Sequence, residues 1–142
     1  MGTKALTAKT RIKALIDTAL TGTPVGVTYG PVRSPEAAWC MVGRIAYDKT
    51  EWAAIGARRR SETFTVAVLV NYKASGRSCP EAEAAVIDWV NLIEDALRAD
   101  VSLGGLTVAG VALIPTSLNS QPLPDASEAQ WEGVIRVSDV RI

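Results

Sequence analysis

Three consecutive arginines, Arg58, Arg59 and Arg60, are the side chains in this sequence best suited to recognition chemistry. A guanidinium is planar and always charged, and its donors form a fork that matches a carboxylate or a phosphate. The cluster therefore points to an acidic neighbouring surface or to nucleic acid, with a solvated strand entry as the plain alternative. The lack of interleaved aromatic residues weakens the nucleic-acid version. Trp52 lies a short way upstream. Tryptophan is enriched in interface hot spots, although in a loop it also serves as a lid over its own core.

Catalytic chemistry finds little to work with. The chain has no histidine, which removes the commonest general base and the commonest metal ligand. Cys40 and Cys79 have no histidine to activate them, and no local pattern supports a Ser-Lys dyad. Two widely separated cysteines fit no zinc spacing. Gly104-Gly105 and the Gly22–Gly26 spacing match neither phosphate-loop fingerprint and read as a helix terminator and a strand glycine. The chain is thus expected to be no enzyme and to take no cofactor or metal.

The elements that must hold the arginines are legible from periodicity. Phe64, Val66, Val68, Val70 and Tyr72 fall on one face of a period-two run, with Thr63, Thr65 and Asn71 on the other. That pattern is a long strand buried mainly on one side, and the arginines sit at its root. Upstream, Ala8, Ile12, Leu15, Ile16 and Ala19 recur at helical spacing, and Thr21-Gly22-Thr23-Pro24 stops the helix. Short strands are expected at 25–29 and 39–45.

Downstream, Ser78 with Glu81 reads as a capping box that opens a second helix, and Pro80 is tolerated in its first turn. The apolar stripe Ala82, Ala85, Val86, Trp89, Ile93, Ala96 and Leu97 places Trp89 between this helix and the sheet. The helix is expected to end near Asp100, before Gly104-Gly105. Strands follow at 106–114, with Gly110 as a bulge, and at 131–142. Residues 46–61 and 115–130 read as long loops, the second because of Pro115, Pro122 and Pro124. The expected order is α-β-β-β-α-β-β. It forms one α+β domain over 1–142, in two layers, with both helices on one face of a mainly antiparallel sheet.

Composition sets the bounds. The 142 residues are the size of one domain and can bury a core without staples. Fifteen basic residues balance fifteen acidic ones, which argues against general nucleic-acid or membrane-surface binding. No apolar run is long enough to span a bilayer, and the N-terminal residues lack a signal peptide's apolar core. The expected setting is cytosol-like, where the two cysteines stay free thiols.

The order of parts and several runs resemble a known family. These runs are Trp52-Ala53-Ala54-Ile55-Gly56-Ala57-Arg58-Arg59-Arg60-Ser61-Glu62-Thr63-Phe64-Thr65-Val66, the acidic helix end Ile93-Glu94-Asp95-Ala96-Leu97-Arg98, and Leu103-Gly104-Gly105-Leu106. Together they resemble the tail-terminator, or tail-completion, proteins of long-tailed bacteriophages, over most of the chain. The resemblance implies a homo-oligomer, a hexameric ring that caps the head-proximal end of the tail tube and stops its polymerisation. It implies a tail tube protein and a head completion or neck protein as partners, and DNA passing through the lumen without sequence-specific binding. It also implies a place in the virion, after assembly in the host cytoplasm. Within it, Trp52, Arg58, Arg59 and Arg60 are the candidate contacts to a neighbouring subunit or the lumen. Another neck or head-tail adaptor ring protein, and a small-molecule-binding α+β domain, are the alternatives.

Overall fold

A computed structural model describes residues 3–30, 37–54, 59–107 and 109–141, with the side chains of 49–54, 59, 60 and 141 outside that description. The elements in chain order are α1 (Ala5–Ala19), β1 (Gly26–Tyr29), β2 (Ala38–Ala54), β3 (Arg59–Ser75), α2 (Cys79–Ala99), β4 (Val111–Leu123) and β5 (Ala126–Arg141). The fold is α+β in the order α-β-β-β-α-β-β. The strands form one sheet ordered β1-β2-β3-β5-β4, in which β1 runs parallel to β2 and every other neighbour is antiparallel.

Alternation decides which face is covered. Phe64, Val66, Val68 and Val70 on β3, Cys40 and Val42 on β2, and Trp131, Ile135 and Val137 on β5 are buried. They line up in register across the three central strands, with Cys40 opposite Val70 and Val70 opposite Trp131. Both helices pack on this face, α1 over β1 and β2 and α2 over β3, β5 and β4. From α1 they contribute Ala5, Ala8, Ile12 and Ile16, and from α2 Ala82, Val86, Trp89, Val90, Ile93 and Leu97. Each large side chain taken wholly out of water is worth about 1.5–3 kcal/mol, so this face dominates the stability.

The second helix starts as its sequence requires. The Ser78 hydroxyl accepts from the Glu81 backbone N–H at 3.4 Å, and the Glu81 carboxylate accepts from the Ser78 N–H at 3.4 Å. Its end is locked by the Leu103-Gly104-Gly105 run. Leu103 is fully buried at a φ of 50°, and Gly104 follows at 68°. Asp100 Oδ1 accepts from the Gly104 N–H at 2.9 Å, and the Arg11 guanidinium donates to the Leu103 carbonyl. A side chain at Gly104 would meet that guanidinium at 3.2 Å, so this glycine answers to both conformation and space.

Two stretches expected as loops are strand. Residues 46–61 are the outer half of β2 and the first residues of β3, joined through 55–58, which lie outside the described residues. Bulges between Val42 and Ile45, Tyr47 and Lys49, and Trp52 and Ala54 break the period of two, which hid the strand from a pattern search. Residues 115–130 form most of the β4–β5 hairpin, closed by a turn at Pro124 and Asp125. Here the prolines misled. β4 is an edge strand, where a proline whose nitrogen faces away from the ladder breaks no hydrogen bond. β4 begins at Val111, later than expected, and β5 begins at Ala126, earlier than expected.

Candidate functional site

Arg59 and Arg60 sit at the described end of the β2–β3 ladder. β3 pairs with β5 from Ser61, opposite Arg141, down to Ser75. Arg59 and Arg60 pair with Ala54 and Trp52 of β2, and no described residue of β5 reaches them. The described β2–β3 ladder therefore continues by these two pairs beyond the last described residue of β5. The expected contacts of Trp52, Arg58, Arg59 and Arg60 involve side chains outside the described residues, and Arg58 lies outside them altogether.

The root of this ladder is clamped to α1 by a residue that pattern reading passed over. Glu62 is buried, at 3% exposure, on the core face of β3. Its Oε1 accepts from the Thr3 hydroxyl at 2.7 Å and from the Lys4 backbone N–H at 2.9 Å. α1 has no side-chain cap of its own at Lys4. Glu62 supplies one from the sheet, placing its carboxylate where the helix dipole favours negative charge. The Tyr47 hydroxyl adds a bond to Thr3 at 3.0 Å, and its ring meets Phe64 edge-on at 6.2 Å. The available signal was a carboxylate in phase with Phe64 and Val66 on the face that must be buried.

This clamp predicts a measurable loss. Glu62→Ala removes a buried acceptor and leaves the Lys4 N–H and the Thr3 hydroxyl to find water. A loss of about 1–3 kcal/mol is expected in denaturant melts. A change within a few tenths would show that the N-terminal turn does not depend on this carboxylate.

Other polar groups are already satisfied by local partners. On the sheet face away from the helices, the Asn71 amide donates to Gln130 at 3.0 Å and Gln130 donates to Glu132 at 2.9 Å. Arg136 pairs with Asp48 at 3.4 Å on the same face, an exposed pair worth little by itself. Between these polar rows lie half-buried Met41, Ala67, Leu69 and Val134, with Ile114 more exposed. A shallow cavity of about 220 Å³ at the edge of the sheet is lined by Asn119, Ser120, Gln121, Glu128 and Gln130. Its Gln121 amide donates to Glu128 at 3.0 Å, so the polar lining largely answers itself.

The titratable candidates behave structurally. Cys40 is fully buried, and its thiol is pushed up to about 12 by desolvation and, secondarily, by the negative charge of Asp17. It stays a protonated, unreactive thiol at neutral pH. Cys79 opens α2 half-buried, and both cysteines are free. The Lys9 ammonium lies 4.0 Å from the Tyr29 ring centroid, and burial lowers its pKa below the ordinary lysine value. A cation over an aromatic face is an attractive contact, which offsets part of that desolvation. Among the described residues, no group of three or more His, Cys, Asp and Glu is placed to hold a metal ion.

No protein-family model matches the chain, and no curated protein matches it. Among solved structures, it is similar to a chain of one described as "Virion of native gene transfer agent (GTA) particle". The two share 15% identity, the match covers 96% of this chain and 92% of that chain, and the TM-score is 0.48, a likeness too slight to carry an argument.

Proposed function

We propose that this chain is a virion structural subunit, a tail terminator. On this reading copies of it form a closed ring, a hexamer by resemblance, on the head-proximal end of a tail tube. The ring ends tube polymerisation and offers a surface to a head completion or neck protein. The subunit works through protein contacts and not through catalysis. Its neutral charge suits a passage that lets DNA through without gripping it. The observation that carries the reading is the β2–β3 ribbon. Its Arg59 and Arg60, part of the run that carries the resemblance, pair with Ala54 and Trp52 beyond the last described residue of β5. A strand pair that reaches beyond its sheet neighbour presents unpaired backbone groups, which suits a contact with another subunit.

Two-dimensional class averages of the purified protein, alone and on purified tails, test this directly. Six-fold rings are expected, at least where tube is present. A strictly monomeric species in both samples would overturn the ring. The arginines can be tested in the same system by changing Arg58, Arg59 and Arg60 to alanine together. Truncating one member of a desolvated charge pair typically costs ~2–5 kcal/mol of binding, so tails of abnormal length or without heads should accumulate. Normal tails that join heads at the wild-type frequency would reduce the cluster to a solvated strand entry.

A further inference from the structure

The two edges of the sheet have backbone groups whose directions can be read. On β2, the Val42 carbonyl accepts from the Gly30 N–H at 2.9 Å, so Val42 turns its polar groups away from β3. Val42, Ile45 and Tyr47 pair with Val68, Val66 and Phe64, an even step each time on β3. Ile45 and Tyr47 therefore also face outward. β1 covers only Trp39 to Val42. Beyond Val42, no described residue pairs with that edge.

On β4, the Gly110 carbonyl accepts from the Ser138 N–H at 3.1 Å, so Gly110 faces β5. Alternation then turns Ala112 and Ile114 toward β5, and Val111, Leu113 and Pro115 outward. After the bulge between Pro115 and Ser117, the residues Leu118, Ser120 and Pro122 pair with Trp131, Ala129 and Ser127, the same parity as Gly133 opposite Pro115. They face outward too. Both prolines thus stand where their missing N–H breaks no bond to β5. They thin the outer donors of β4 to Val111, Leu113, Leu118 and Ser120, while every outer carbonyl remains.

We propose that the outer edge of β4 in one copy pairs antiparallel with the part of the β2 edge beyond Val42, which no described residue pairs, in the next copy. This deepens the ring reading and rests on it. Strand direction fits. β2 is antiparallel to β3, β3 to β5 and β5 to β4, so β4 runs opposite to β2. A rotation that carries one copy onto the next therefore joins these edges antiparallel and keeps all helices on one side of the continued sheet. The contact is heterologous, the kind that closes rings. Self-pairing of β4 would meet missing donors from both strands, whereas the described outward positions of β2 contain no proline.

Length fits as well. β1 blocks the near end of β2, so β4 must slide along to reach the part that no described residue pairs. Bringing the middle of β4 beside the middle of that part takes a shift of about six residues, or ~20 Å, across four strand spacings of ~4.8 Å. That tilts the strands by about 45°, at the upper end of the range of roughly 35–45° that closed barrels adopt.

Native mass spectrometry on three forms tests the pairing. Leu118→Pro removes one outward donor and the side chain, whereas Leu118→Ala removes the side chain alone. The wild type and Leu118→Ala should give rings. Leu118→Pro should fall to monomers while its circular dichroism stays that of the wild type. Rings of wild-type stability from a folded Leu118→Pro would overturn the edge pairing and leave the ring standing. A wild type that forms no ring, alone or on tails, would overturn both. Should Leu118→Pro misfold, hydrogen exchange on the wild type decides. Amides of Leu118, Ser120, Ile45 and Tyr47 should exchange about tenfold slower, or more, in the ring than in the dilute monomer. Equal rates in the two states would overturn the proposal.

Discussion

Replacing Trp89 with alanine is expected to cost about 3–5 kcal/mol of folding stability, the usual range for truncating a large buried aromatic. Trp89 sits in the middle of the α2 stripe at 8% exposure, facing the sheet. Its ring meets Tyr72 of β3 at 5.0 Å between centroids and 67° between planes, an edge-to-face contact. Truncation leaves a cavity between helix and sheet that neither layer can close, because β3 is held by ladders on both sides. Urea melts of the wild type and the variant give the number. A loss below 1 kcal/mol would mean that the indole is not part of the joint between the layers.

The second large effect is expected at Gly133, in the middle of β5. A Cβ there would lie 2.3 Å and 2.7 Å from atoms of the Trp131 indole and 2.8 Å from the Ile114 carbonyl oxygen. The indole thus lies over the bare backbone of its own strand. It is 3% exposed, so it has no room to swing away, and the carbonyl is part of the neighbouring strand. Gly133→Ala should cost about 1–3 kcal/mol, the usual penalty of overpacking, and should displace Trp131. Denaturant melts and a tryptophan emission spectrum read the two consequences. Wild-type stability together with an unchanged spectrum would show that the indole is free to move.

Gly133 and Glu62 mark what a pattern cannot reveal. A glycine within a Val- and Ile-rich run reads as a weak strand residue, and only the position of an indole from the same face explains it. A glutamate between strand residues reads as solvated. Its burial depends on the start of α1, more than fifty residues earlier in the chain, arriving beside it. The capping box at Ser78 and the α2 stripe were legible because both are local. Their partners lie three or four residues away, and the same residues answer whatever the tertiary context.

The long strands show the limit most clearly. The inner half of β3 follows from alternation alone, because one of its faces is buried by helices and the other is not. The outer half of β2 and all of β4 past Pro115 could not be recognised that way. Bulges reset the phase of β2, and an edge strand selects for outward-facing nitrogens more than for apolar side chains, so proline passes there as well as in a loop. The sequence by itself determined two amphipathic helices, a one-sided core strand, a neutral charge and the place of the arginine run. Tertiary structure decided that Arg59 and Arg60 pair with β2 beyond the last described residue of β5, and that β1, described over four residues, leaves the rest of the β2 edge without a described partner. The physical reason is that edge exposure and strand overhang are properties of which strands meet, set by long-range pairing that no local window of residues encodes.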